Sequence, residues 1–299
     1  MNINNLKRSP RTMKALTGLT WQEFTDLVPL FEQAYREIKL SDPKRKRRIG
    51  GGQKGKLAMA TDKLFFTLFY YKTYPTFDVL GFWFGKSSGR SCEAIHLFTK
   101  VIEQALGRAL VLPIRKISTI EEFEEAFPEV KDLFLDGTER RMERPKDGKR
   151  NRRMYSGKKK AHTRKHILAA NDRKRICILS PAKPGRRHDK RAMDARLLAE
   201  RIPRRIHLWT DSGFQGIDKQ RENTHVVKRG TKRRPLTEAE REENRFISSV
   251  RMVAEHALSG MKRFRVMSET LRNKIGVFDN RVAGVCAGLC NWHLNYATV

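Results

Sequence analysis

The stretch VKDLFLDGTE (130–139) sets three apolar residues, Leu133, Phe134 and Leu135, directly before Asp136, Gly137 and Thr138. Short runs rich in Ile, Leu and Val, bounded by glycine, proline or charged turns, read as strands. Asp136 is therefore expected at or near the end of a buried strand, beside a turn. RIHLWTDSGF (205–214) repeats the arrangement and puts Asp211 in the same place. KHILAANDRK (165–174), RICILSPAKPG (175–185) and THVVKRG (224–230) have the same texture. One helix near 188–202 interrupts these runs, and a longer one at 237–264 follows them. Three strands, a helix, more strand and a helix predict an α/β sheet layer covered by helices.

Two strand-terminal aspartates on neighbouring strands can share hard cations, because oxygen ligands suit Mg²⁺ and a sheet fixes their separation. Either one alone reads equally well as a turn or cap aspartate. The third carboxylate comes from SSVRMVAEHALSGMKRF (248–264). At 3.6 residues per turn, Phe246, Val250, Val253, Ala257, Met261 and Phe264 form an apolar stripe, and Ser248, Arg251, Glu255 and Lys262 share the opposite face. That face offers one carboxylate to a metal and two cations to phosphates, or serves as a solvated face with ordinary salt bridges.

Upstream, LTGLTWQEFTDLVPLFEQAYREIKL (16–40) spaces Leu19, Phe24, Leu27, Leu30 and Phe31 as a helix would, with Thr20 as its N-cap. PKRKRRIGGGQKGK (43–56) reads as a flexible basic loop, either solvated or touching phosphate. Residues 61–106 read as three helices in a helix-turn-helix layout. The third turns Ile95, Phe98, Val101 and Ile102 inward and offers Lys86, Ser88, Arg90 and Ser91 to a groove. The boundary falls after this part: a helical DNA-binding region at 1–118, then a catalytic region at 119–299 that opens with the helix TIEEFEEAF (119–127).

The chain has 63 Lys and Arg against 33 Asp and Glu, a formal net charge of +30 over 299 residues. Such an excess attracts a polyanion, most often a phosphate backbone. No apolar run reaches the roughly 18 residues that span a bilayer, and there is no signal-peptide core, so a membrane partner is not expected and an intracellular location is. Cys92, Cys177, Cys286 and Cys290 lack paired CxxC spacing, which favours neither a disulfide framework nor a zinc ribbon. From Glu139 to Lys165 there are 13 Lys or Arg against three acidic residues, a nucleic-acid surface beside the first aspartate. His162 and His166 in that segment fit a phosphate or core contact better than a metal. Asp189, after His188 and before a helix, reads as an N-cap.

Taken together, Leu135-Asp136-Gly137-Thr138-Glu139, Tyr155 to Lys165, Asp211-Ser212-Gly213-Phe214-Gln215-Gly216, and Arg251 with Glu255 and Lys262 resemble the transposases of bacterial insertion-sequence family five. Residues 61–106 resemble the helix-turn-helix that precedes the nuclease domain in that group and its Harbinger-like relatives. The resemblance implies a ribonuclease H-like catalytic domain with a mixed α/β sheet, preceded by an all-α helix-turn-helix domain. It implies Asp136, Asp211 and Glu255 as metal-binding catalytic residues, with Mg²⁺ as cofactor and Mn²⁺ as substitute. It also implies DNA contacts by Arg251, Lys262, Lys158, Lys159, Lys160, Arg164 and Lys165, besides Lys86 and Arg90. The family's helical signature is Tyr, Arg, Glu, Lys, and Ser248 stands at the tyrosine position. The interval 255 − 211 = 44 leaves little room for a large insertion between the second Asp and the Glu.

The activity so implied is cleavage and strand transfer at terminal inverted repeats, by a homodimer acting on double-stranded DNA in the bacterial cytoplasm, at the nucleoid. Two rivals compete: a DNA-binding protein without catalysis, and an RNA-associated basic protein, which seldom needs buried strand-end carboxylates.

Overall fold

The computed structural model describes residues 3–43, 55–194 and 198–297. Most of the basic loop expected at 43–56 therefore lies outside the described residues. The described chain groups into two compact units. Met1–Leu112, with Met261–Glu269 and Asn273–Val299, forms the first, and Pro113–Gly260 with Thr270–Arg272 the second.

In the first unit, α1 (Pro10–Thr17) ends at Gly18, whose φ of +78° is the left-handed conformation that glycine tolerates. α2 (Trp21–Leu40) starts at the expected cap: Thr20 Oγ1 accepts from Glu23 N at 3.2 Å and Glu23 Oε2 from Thr20 N at 2.9 Å. α3 (Ala60–Thr73), α4 (Phe77–Phe84) and α5 (Ser88–Arg108) give the three-helix module. Thr76 and Ser87 cap the last two through Val79 N and Arg90 N. Their core is aromatic: Phe66 meets Phe84 edge-on at 4.9 Å and Phe98 at 6.2 Å. Ile95, Phe98, Val101 and Ile102 are buried as predicted, and Ser91 is buried too, so it offers nothing to a groove.

The second unit opens with α6 (Ile120–Ala126), capped by Thr119, and the long strand β1 (Asp132–Arg141). The basic segment contains a short helix, α7 (Gly148–Met154), capped by Asp147, before β2 (Tyr155–Ser156) and β3 (Ala161–Ala170). β4 (Ile176–Leu179) and β5 (Lys183–Pro184) both pair with β3. The helix expected near 188–202 is described over α8 (Asp189–Asp194) and α9 (Leu198–Arg201). β6 (His207–Thr210) and β7 (Thr224–Val226) complete the sheet, in the order β2-β3-β1-β6-β7. β1 pairs antiparallel with β3 and parallel with β6, and β6 parallel with β7. This is the mixed α/β sheet expected of a ribonuclease H-like region. One face of it buries Leu133, Leu135, Ile167, Ala169 and Leu208 with Phe123, Ala192, Met193 and Ile202.

Along α10 (Glu238–Lys262) and just past it, the predicted stripe is buried at Ala257, Met261 and Phe264, while Val250 and Val253 are half-buried. Ile247, Ala254, Ala257 and Leu258 are buried in the second unit, while Phe246 is 59% exposed. The ring of Phe246 instead meets Trp209 at 5.8 Å, which satisfies the aromatic side chain without enclosing it.

α11 (Arg265–Ser268) and α12 (Gly276–Leu294) group with the N-terminal helices, although in sequence they trail the sheet. α12 is buried at every position from Val282 to Trp292, so its whole circumference there needs neighbours on several sides. Asn291 Nδ2 donates to Val111 O, Trp292 Nε1 to Glu23 O, and His293 Nδ1 lies 2.6 Å from Glu23 Oε1. Among the described residues no helix is long and apolar enough to cross a membrane.

The turn between α4 and α5 is the tightest point of the helical module. Lys86 N donates to Gly81 O at 2.8 Å, and a Cβ on Gly81 would lie 2.4 Å from Lys86 O, a backbone atom that cannot swing aside. Gly81→Ala is therefore expected to cost about 1–3 kcal/mol. Chemical denaturation checks it, and an unchanged midpoint would refute this account of the turn.

Candidate active site

The second face of the sheet carries the acidic residues. Parallel pairing aligns Asp132 with His207, Leu133 with Leu208 and Phe134 with Trp209. The offset is constant, 209 − 134 = 75, and 211 − 136 = 75 as well. Asp136 and Asp211 thus stand at matching positions two residues past the last pair, on strands roughly 4.8 Å apart. Side chains alternate, so both aspartates lie on the face of Phe134 and Trp209, whose rings stack at 6.3 Å. Asp136 is not at the end of its strand as predicted. β1 continues past it to Arg141, paired with β3, so what ends near Asp136 is the pairing with β6.

α10 crosses this same face. Phe246 meets Trp209, and Arg251 Nη2 reaches 4.0 Å from Asp136 Oδ1. Glu255, one turn further on, is exposed. Each aspartate has one oxygen fixed by a glycine amide: Gly137 N donates to Asp136 Oδ1 at 2.7 Å and Gly213 N to Asp211 Oδ1 at 2.8 Å. Asp211 is thereby also the cap of the short 3₁₀ turn Ser212–Phe214, so its turn role and an acidic role are compatible. Burial raises the pKa of Asp136. The Gly137 amide and Arg251 oppose that shift, while the charges of Asp211 and Glu255 add to it. Asp211 and Glu255 are therefore each within electrostatic reach of Asp136. Among the described residues, no group of three or more His, Cys, Asp or Glu is drawn close enough to hold a metal as it stands.

The description "DDE superfamily endonuclease" matches residues 135–291, 157 of the 299 residues. The chain belongs to this family. The description "helix-turn-helix of DDE superfamily endonuclease" matches residues 55–107, which contain α3, α4 and α5. The chain is also 25% identical over 289 residues to a probable transposase for insertion sequence element IS702 of Microchaete diplosiphon, covering 95% of this chain and 97% of that one. No solved structure matches. DDE endonucleases use divalent metal ions, generally Mg²⁺.

In this DDE endonuclease the basic residues separate into distinct groups. Lys158, Lys159 and Lys160 are exposed on the four-residue turn between β2 and β3, where Lys160 takes a φ of +46°. Arg164 is half-buried on β3. Lys165, expected at DNA, is only 6% exposed, and its ammonium turns inward to Glu139 Oε1 at 3.2 Å and Asp189 Oδ1 at 2.7 Å. A buried ammonium so paired cannot also serve phosphate. Asp189 in turn sends its carboxylate to Lys165 rather than capping α8. Arg251, expected at phosphate, stands beside Asp136. Lys262 is exposed at the end of α10 and belongs to the first compact unit, with Lys86 and Arg90. Arg90 pairs with Glu93 at 3.1 Å, both side chains well exposed. Ser248 is exposed, His162 meets Asn151 Oδ1 at 2.7 Å, and His166 is buried against Ser180 O at 2.8 Å. The two aspartates and the glutamate were visible in sequence as chemistry; the pairings of Arg251 and Lys165 were not, because spacing cannot tell an inward cation from an outward one.

The raised pKa of Asp136 has a consequence with a definite sign. The fold favours the protonated form, so its contribution is present below the ordinary aspartate pKa of about 3.9 and is lost as pH rises through the folded value. At neutral pH the metal-free protein carries this cost, and Asp136→Asn relieves it. Thermal melts in chelator are expected to show Asp136→Asn melting above wild type at pH 7, with the gap closing below about pH 4. A variant that melts lower at neutral pH would contradict the burial of this charge.

Proposed function

We propose that the chain is a transposase that binds the terminal inverted repeats of its element and catalyses metal-dependent DNA cleavage and strand transfer. The observation that carries this is the shared register of Asp136 and Asp211 on the face crossed by Arg251 and Glu255. The donor set fits Mg²⁺, or Mn²⁺ in its place: three carboxylates are hard oxygen ligands, and a cation beside Asp136 would offset both its burial and its repulsion by Asp211 and Glu255. When bound, two such ions supply activation of a water or 3′-hydroxyl and stabilisation of the leaving oxygen.

The chain's own residues do the rest. The amides of Gly137 and Gly213 each hold one oxygen of the two aspartates. Glu255, on an exposed position of a long helix, has the rotamer freedom to close on the pair. Arg251 limits the negative charge around Asp136 until DNA and cations arrive. In cleavage, water adds to the phosphorus and the 3′ oxygen leaves. In transfer, that 3′-hydroxyl attacks a target phosphorus, and one bond forms for each that breaks, so no external energy source is needed. Lys158, Lys159 and Lys160 would hold backbone phosphates, Lys86 and Arg90 would meet a groove, and Lys262 would add a further phosphate contact. Joining two element ends calls for a homodimer.

Cleavage of duplexes carrying the terminal repeats tests this. Loss of a ligand worth several kcal/mol is expected to slow Asp211→Ala about 10³-fold in Mg²⁺. Equal cutting by wild type and Asp211→Ala would remove the assignment of Asp136, Asp211 and Glu255 as the active site. For the turn, replacing Lys158, Lys159 and Lys160 with Ala is expected to reduce the slope of log affinity against log salt by about 2.7, at about 0.9 per phosphate contact. An unchanged slope would place the DNA elsewhere.

A further inference from the structure

A fourth carboxylate lies behind the first two. Asp189 is on α8, away from both aspartates in sequence, yet it lies against the glycine that follows Asp136 on β1 and the glycine two residues after Asp211 in the 3₁₀ turn. A Cβ on Gly137 would lie 2.9 Å from Asp189 Oδ1, and a Cβ on Gly213 would lie 2.8 Å from Asp189 Oδ2. One oxygen of the carboxylate therefore abuts each glycine, and only glycine leaves it room. These are the glycines whose amides hold Asp136 Oδ1 and Asp211 Oδ1. The chain of contacts runs from Asp189, through Gly137 and Gly213, to the two aspartates.

Asp189 is itself held firmly. Lys165 Nζ lies 2.7 Å from Asp189 Oδ1, 3.2 Å from Glu139 Oε1 and 2.9 Å from Arg187 O. Glu139 faces Lys165 across the β1–β3 ladder and also accepts from Thr163 Oγ1 at 2.7 Å. Burial alone would raise the pKa of Glu139, but its hydrogen bonds from Ser156 and Thr163 and the charge of Lys165 outweigh this, and the net shift is downward. Asp189 is thus anchored to β1 and β3 by a buried ion network.

We infer that Asp189 is a positioning residue. It sets the spacing of the β1 backbone at Asp136 and the turn at Asp211, and through them the affinity of the acidic pair for a divalent cation. This rests on the proposed cation site. Supporting groups of this kind typically change metal affinity by about 10–100-fold when altered.

The test is Mn²⁺ binding by isothermal titration in the absence of DNA, with wild type and Asp136→Asn as references. Asp189→Asn keeps the shape and removes the charge that Lys165 holds, while Gly137→Ala pushes the carboxylate away and leaves its charge. Each is expected to weaken Mn²⁺ about 10–100-fold. The double variant is expected to lose no more than the worse single one, because both act through one contact. Metal-free affinity for duplex DNA should not move. Circular dichroism identifies which variants fold, and either folded single variant decides. Wild-type Mn²⁺ affinity in a folded variant overturns the role of Asp189. Absence of Mn²⁺ binding by wild type, or its persistence in Asp136→Asn, would overturn the cation site itself.

Discussion

Parallel pairing of β1 with β6 is the constraint from which the candidate site follows. Three residue pairs, ending at Phe134 and Trp209, set an offset that puts Asp136 beside Asp211 although 74 residues intervene between them. Alternation then fixes which face they share, and the stacked rings of Phe134 and Trp209 floor that face where α10 crosses it. A register slip of one residue would turn one aspartate into the apolar core formed by Leu133, Leu135 and Leu208. The apolar pattern that folds the second unit is thus also what aligns its acidic residues.

Gathering carboxylates in a half-buried place opposes folding, and the structure shows how the cost is limited. Glycine amides take one oxygen of each aspartate, Arg251 stands next to Asp136, and Glu255 stays exposed. Behind them, Lys165 offsets part of the charge of Glu139 and Asp189. What remains unrelieved is concentrated at Asp136, where burial still outweighs its partners. A site short of positive charge on that face is suited to taking up a cation.

Much of this was legible in the residues. LFLDGT and LWTDSG announced strands leading to aspartates, and Arg251 and Glu255 showed helical spacing. The helix-turn-helix layout followed from apolar spacing and from the glycine at its last junction. Three things were not legible. The stripe of α10 was read from Phe246 because an aromatic residue suggests burial, but a ring can be satisfied by one stacked partner. The grouping of the C-terminal helix with the helices of the first unit was not visible, because the partners of its apolar circumference are far away in sequence. Lys165 was read outward with its basic neighbours, because the carboxylate that draws it in comes from a helix 24 residues later. Each depends on contacts distant in sequence, which local pattern does not encode.

The central claim is that Asp136, Asp211 and Glu255 form one cation site. The most direct measurement is the anomalous scattering of Mn²⁺ in crystals of the protein with DNA of its element ends. The account predicts an anomalous peak ligated by oxygens of Asp136 and Asp211, with Glu255 turned toward it. Density for Mn²⁺ elsewhere, or carboxylates left apart in its presence, would contradict it.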